Sequence, residues 1–189
     1  MKRIGVLADN HSRTPDGSDV PQEVVDAFAG VDLIVHCGDA GSWETLDRLE
    51  KVAPVLGVLG GHNGQGDDER IDGEKRLLAI DGLRVGVVHD LVRHGLTTES
   101  APAFKPTTAD FGTALRSFFG EPIDVLFYAG THVPRVAWMS GVLMVNGGSP
   151  TLPSGRPKGS LGTVAIVEFD GGSVTPRIIE LAKERSAVA

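Results

Sequence analysis

Cysteine is nearly missing from this chain: Cys37 is the one residue of its type among 189. A single thiol cannot form an internal disulfide, so the core must hold the fold, and a reducing compartment is expected. Long apolar runs are missing as well, and no stretch approaches the roughly 18 residues that a membrane span needs. Met1-Lys2-Arg3-Ile4 runs straight into a strand-like segment, with no apolar h-region and no small-residue cleavage site. The expectation is a cytoplasmic protein with no membrane partner. Asn10-His11-Ser12 matches the glycosylation acceptor by letter, a coincidence where no secretion signal is seen. Basic side chains are in deficit, 18 Lys and Arg against 25 Asp and Glu, for a net charge of -7. An acidic protein is a poor non-specific binder of phosphate backbones. Long nucleic acid is therefore an unfavourable partner, while small phosphorylated molecules stay open. Internal repeats and low-complexity tracts are also absent.

The chain does have an ordinary globular balance, with 41% hydrophobic and 23% charged residues. Its length suits one domain, residues 1–189, with room for a substantial core. Most of its 25 glycines stand at the ends of apolar runs, which marks tight turns. In the first half, strands at Ile4 to Ala8, Leu33 to His36 and Val55 to Leu59 alternate with helices. One helix is expected from Pro21 to Ala29, opened by its proline, and one from Ser42 to Val52, with Ser42 as the N-cap. Such alternation predicts parallel β-α-β units.

In the second half, Arg76 to Ile80 and Leu83 to Val88 are strands joined by the hairpin signal Asp81-Gly82. The stretch His94 to Thr108 reads as a surface loop, and Thr108 to Phe119 as a helix. Strands follow at Val125 to Tyr128, Arg135 to Met139, Val142 to Asn146, Thr163 to Phe169 and Val174 to Glu180. Parallel units followed by hairpins predict two mixed sheets packed face to face with helices outside.

Successive strand ends carry polar residues suited to chemistry. Strand one ends in Asp9-Asn10-His11, strand two in Gly38-Asp39, and strand three in Gly60-Gly61-His62-Asn63-Gly64. A later strand ends in His89-Asp90 and another in Gly130-Thr131-His132. Parallel sheets bind ligands at that edge. Asp9 and His11, one residue apart, would point to the same side of an extended backbone. Carboxylate with imidazole and no thiolate favours Mn, Fe, Zn or Ni over a structural zinc site. A carboxylate at Asp39 could bridge two ions about 3.5–4 Å apart, the spacing that activates a water and clamps a phosphoryl group.

The order Asp9-x-His11, Gly38-Asp39, the Gly60 to Gly64 loop, His89 and Gly130-Thr131-His132 resembles the order Asp-x-His, Gly-Asp, Gly-Asn-x-Asp, His, Gly-His-Thr/Ser-His of the calcineurin-like metallophosphoesterase superfamily, in its small bacterial and archaeal phosphodiesterase branch. The resemblance runs from Arg3 to about Phe169 and includes Asn146-Gly147-Gly148-Ser149, similar to that branch's Asn-Pro-Gly-Ser. It implies a four-layer α/β/β/α sandwich, one or two divalent ions with Mn first, and hydrolysis of a small phosphodiester or phosphomonoester by metal-activated water. It also implies that Asp9, His11, Asp39 and His132 hold one ion, and that Asp39 with His89 holds the second. His62 stands where some branches place the histidine that protonates the leaving group. The chain departs from the pattern at three positions. Gly61 replaces the family's Asn, Gly130 replaces a His, and Asn63 replaces the loop Asp, so His62 or Asn63 is left as a substitute ligand.

Each residue also has a plainer reading. His36 is expected to pack inside its strand, Cys37 to be a small core residue, and Trp43 to pack at a helix start. Arg93, His94, Arg135 and Arg156 could meet a phosphate but fit a solvated surface better. The Asn146 to Ser149 turn could offer backbone N–H groups to an anion, after first shaping the turn. Two functions compete: a hydrolase, and a catalytically weak or inactive phosphoesterase-fold binding protein like the retromer subunit of this fold. A dinucleotide-dependent oxidoreductase is excluded, because no glycine-rich phosphate loop follows strand one. The sequence leaves a homo-oligomer open.

Overall fold

A strand that is apolar on both faces must be covered on both, and several strands of this chain have that pattern. The computed structural model describes residues 1–99 and 105–181. One sheet takes β1 (Lys2–Leu7), β2 (Leu33–His36), β3 (Val55–Gly57), β11 (Thr163–Asp170) and β12 (Ser173–Glu180), in the order β12-β11-β1-β2-β3. β1, β2 and β3 run parallel through the crossovers α1 (Gln22–Ala27) and α2 (Glu44–Glu50), and the β11–β12 hairpin joins β1 antiparallel. The other sheet takes β4 (Lys75–Ile80), β5 (Leu83–Val88), β8 (Val125–Phe127), β9 (Arg135–Met139) and β10 (Val142–Asn146), in the order β4-β5-β8-β10-β9. There β5, β8 and β10 are parallel, α3 (Phe111–Phe119) lies between β5 and β8 in sequence, and hairpins add β4 and β9.

Three apolar clusters define four layers. The central one joins Val6, Val35, Ala165 and Val167 of the first sheet to Val85, Val87, Phe127 and Val145 of the second. Leu7, Ile34 and Ile166 face α1 and α2 with Val24, Phe28, Leu46 and Leu49. Val88, Leu126 and Met144 face α3 with Phe111, Leu115 and Phe119. The expected four-layer α/β/β/α sandwich of two mixed sheets is the observed fold. Each sheet admits one phenylalanine closely because a strand residue opposite lacks a side chain. A Cβ on Gly5 would meet Phe28 at 2.9 Å, and one on Gly86 would meet Phe119 at 2.8 Å.

Local differences from the expected elements have physical reasons. Ser42 does not cap α2; its hydroxyl donates to the Thr14 carbonyl at 3.3 Å, and Trp43 takes the N-cap position. α3 starts at Phe111, later than Thr108, because the Asp110 carboxylate accepts the Thr113 N–H at 3.0 Å and sets the start. Within the expected loop, β6 (Thr97–Glu99) and β7 (Lys105–Pro106) pair antiparallel, and Leu96 and Thr97 are buried. Residues 100–104 of that loop lie outside the described residues. No helix among the described residues is long and apolar enough to cross a membrane.

Candidate metal centre

Because β1, β2, β3, β5 and β8 each run parallel to a neighbour within their sheet, their C-terminal loops gather at one edge of the sandwich. Pairing continues past β1 and β2: the Asp9 N–H donates to the Gly38 carbonyl and the His11 N–H to the Asp39 carbonyl, both at 3.0 Å. Ala129 likewise donates to the His89 carbonyl at 2.8 Å. The first sheet thus delivers Asp9, His11, Asp39 and His62, and the second delivers His89 and His132.

The six side chains meet. Ligand atoms of Asp9, His11 and His132 lie within 4.8 Å of one another, as do those of His11, Asp39 and His62, and those of Asp9, Asp39 and His89. Asp39 is the hub, with its Oδ2 at 3.3 Å from His62 Nδ1 and 3.4 Å from both His11 Nε2 and His89 Nε2. Asp9 Oδ1 lies 3.6 Å from His132 Nε2 and 3.8 Å from His89 Nε2. Asp9, Asp39 and His89 are buried, His11 and His132 half-buried, and His62 exposed.

Asp9 and His11 do not converge by extended alternation. Their φ values are 55° and 46°, and Asp39 and His132 have 58° and 57°. Four of the six non-glycine residues with positive φ among the described residues are therefore in this cluster. Such conformations are unfavourable for L-residues and persist where surrounding structure enforces them, typically at functional sites. The enforcing bonds come from distant residues that sequence reading did not connect to Asp9. The Ser149 hydroxyl donates to the Asp9 carbonyl at 2.8 Å, and the Thr151 hydroxyl to the Asn10 carbonyl at 2.7 Å. The Asn146 to Ser149 turn thus braces the Asp9 loop. Its own Asn146 Oδ1 accepts the Gly148 N–H at 2.8 Å, which shapes the turn as expected.

Two imidazoles are oriented by their other nitrogen. His89 Nδ1 lies 2.7 Å from the Cys37 carbonyl and His132 Nδ1 2.7 Å from the Leu152 carbonyl, so each donates there and turns Nε2 toward the cluster. Two buried inward atoms, Asp9 Oδ1 and His11 Nε2, make no hydrogen bond. Buried polar atoms rarely go unpartnered, and these fit a divalent cation: hard oxygen and imidazole donors with no thiolate. Cys37 is fully buried, which pushes its thiol up and keeps it inert.

Burial raises Asp9 to about 6, against the opposing pull of His89 and His132. Burial acts to raise Asp39 too, but hydrogen bonds from His89 and from the His62 backbone outweigh it and hold it below the usual carboxylate range. Burial lowers His11. His89 would be lowered by burial, but Asp39 and Asp9 outweigh that and raise it.

The altered positions separate clearly. Asn63 folds back on its own loop, accepting the Gly60 N–H and donating to the Gly60 carbonyl, both at 2.9 Å, so its amide is engaged away from the cluster. His62 is the loop residue that reaches Asp39, through its ring and through its N–H at 2.7 Å to Oδ1. A Cβ on Gly61 would find Asp39 Oδ1 at 3.8 Å and nothing nearer, so a side chain fits there. Gly130 has φ of 79° and donates its N–H to Asp9 Oδ2 at 3.1 Å, so a side chain there is strained.

The residues given plainer readings are engaged elsewhere. His94 packs against Phe118 at 5.0 Å, Arg93 pairs with Glu74 at 3.0 Å, and Arg156 pairs with Glu180. His36 is fully buried, with Nε2 donating to Asn10 Oδ1 at 3.0 Å and Nδ1 accepting the Gly38 N–H at 3.2 Å. Burial lowers it to about 3. The unfolded chain therefore takes up a proton below about 6.5 that the folded chain refuses, and His36 makes stability rise with pH between about 3 and 6.5. In urea unfolding of metal-free protein, His36→Gln is expected to shrink the stability difference between pH 7 and pH 4.5 by about 2 kcal/mol. An unchanged difference would mean that His36 does not resist protonation.

The model of the calcineurin-like phosphoesterase superfamily domain matches residues 1–172, and the chain belongs to that superfamily. A probable metallophosphoesterase of Methanothermobacter thermautotrophicus is 32% identical over 181 residues, 93% of this chain and 91% of the relative. A probable metallophosphoesterase of Methanocaldococcus jannaschii is 32% identical over 151 residues, 79% of this chain and 69% of the relative. Among solved structures, Vps29 of Chaetomium thermophilum has a TM-score of 0.71 at 18% identity, over 98% of this chain and 91% of that one. A Thermotoga maritima protein solved by NMR has a TM-score of 0.65 at 25% identity, over 96% and 100%.

Proposed function

We propose that the protein is a metal-dependent phosphoesterase that hydrolyses a small phosphodiester or phosphomonoester. The observation that carries this is the pair of buried ligand atoms that make no hydrogen bond, Asp9 Oδ1 and His11 Nε2, inside a cluster of two carboxylates and four imidazoles. In this reading Asp9, His11, Asp39 and His132 hold a first ion, with Mn the leading choice over Fe, Zn and Ni. Asp39 and His89 hold a second. Bound divalent ions supply Lewis-acid activation of water and neutralise charge developing on phosphoryl oxygens. His62, the exposed member, sets Nδ1 against Asp39, and its Nε2 is assigned to give a proton to the departing oxygen. The lone buried cysteine suits a cytoplasmic setting.

The loss of side chains at Gly61 and Gly130 favours the competing reading, a phosphoesterase-fold binding protein without turnover. Metal analysis combined with hydrolysis of bis(p-nitrophenyl) phosphate separates the two. The enzyme is expected to hold two ions per chain and to turn over with Mn. One ion per chain and no turnover with Mn, Ni, Zn or Fe would sink the hydrolase. In the same assays Gly61→Asn is expected to raise occupancy of the second ion, and constant occupancy would mean that position 61 does not face it.

A further inference from the structure

We propose that the hollow beside the metal centre is a subsite for a neutral aromatic group of the substrate, a nucleobase, which makes nucleotide-type phosphoesters the substrate class. This rests on the phosphoesterase reading above. Three loops that each deliver a residue to the centre run on into one cavity of about 390 Å³. Ser12 and Arg13 directly follow His11, Gly41 and Ser42 stand two and three residues after Asp39, and Gly64 and Gln65 two and three after His62. The cavity and the centre share one backbone frame. The Gly41 N–H donates to the His62 carbonyl and the Ser12 N–H to the Ala40 carbonyl, both at 3.0 Å. The volume is in the range of small-molecule sites.

The lining chemistry selects the occupant. Trp43 is half-buried, its indole N–H donates to the Gly66 carbonyl at 3.1 Å, and the Gly64 backbone lies against the ring. Trp43 is therefore fixed before a ligand arrives, which lowers the entropy cost of binding. Pro15 adds a second apolar wall. The lining holds one cation, Arg13, and one anion, Glu44, and neither forms an ion pair among the described residues. Their charges cancel, so the hollow does not call for a second phosphate. The exposed Gln65 carboxamide lines the hollow and can pair with a polar ring edge. An aromatic side chain and a proline in the lining, with polar groups beside them, suit a nucleobase. The phosphate would sit at the metals, and the base would rest beside Trp43, where stacking is tolerant of base identity.

The test compares ligands that share a phosphate and differ in the base. Mn-loaded protein is titrated with AMP, ribose 5-phosphate and inorganic phosphate by calorimetry. Fluorescence is followed in parallel in a Trp138→Phe background, which leaves Trp43 as the only one of the two tryptophans. AMP is expected to bind about tenfold tighter than ribose 5-phosphate and to be the ligand that quenches Trp43. Trp43→Leu should bring AMP down to the ribose 5-phosphate affinity with metal content unchanged. Ser42→Leu, which fills the hollow and leaves the indole in place, should do the same. Equal binding of AMP and ribose 5-phosphate by the parent protein, or a preference that survives both substitutions, overturns the subsite. If neither phosphate binds and Mn supports no hydrolysis of bis(p-nitrophenyl) phosphate, the phosphoesterase reading itself falls and the subsite with it.

Discussion

Asp39→Asn is expected to empty the centre of metal and to lower phosphoester hydrolysis by at least about 100-fold, more than removal of a supporting group costs. Asp39 is the residue on which His11, His62 and His89 converge, at 3.3–3.4 Å. Its hydrogen bonds keep it ionised at neutral pH, so the substitution deletes a full charge. Asparagine retains the shape and an oxygen that can accept the His62 N–H, and the fold is expected to persist. Metal analysis of the purified variant beside the parent checks this, with circular dichroism as the control for folding. Unchanged metal content in a folded variant would show that the centre lies elsewhere.

Phe127→Ala is expected to be the most damaging single core truncation for stability. Phe127 lies in β8, the middle strand of its sheet, is completely buried in the central cluster, and meets Phe169 of the opposite sheet edge-on at 6.5 Å. Both neighbouring layers are sheets, which cannot collapse into the vacated space without breaking their pairing. The cost is placed at about 3–5 kcal/mol. For a chain of this size that corresponds to roughly 6–20 °C in melting temperature. Calorimetry on metal-free protein measures it directly, and a loss under about 1 kcal/mol would mean that the sheets repack freely.

The layer order was legible because short apolar runs alternating with helices leave few ways to bury both faces of a sheet. The Asp81-Gly82 hairpin was legible for a local reason, since both residues adopt the positive φ that such a turn needs. The cluster at the sheet edge was legible because strand ends can be read off a sequence one at a time. How the side chains are aimed was not. Extended alternation was expected at Asp9 and His11, where the backbone is left-handed, and the restraint comes from Ser149 and Thr151, 140 and 141 residues from the carbonyls they hold. Nor could spacing decide between His62 and Asn63 as the residue that reaches Asp39. That depended on Asn63 closing a ring with the Gly60 backbone. Ser42 illustrates the converse: a good capping residue was diverted because a neighbouring loop carbonyl, Thr14, lay within reach.

The centre draws Asp9, His11, Asp39 and His62 from one sheet and His89 and His132 from the other, so an ion seated there would rivet the two halves of the sandwich together at one edge. The chain in water would then unfold against chelation as well as against its core. By mass action an ion present at a thousandfold over its dissociation constant adds about 4 kcal/mol to that resistance. Starvation for metal would then do more than idle the protein. It would shorten the lifetime of each molecule, by letting the two sheets part at the edge that the ion would otherwise close.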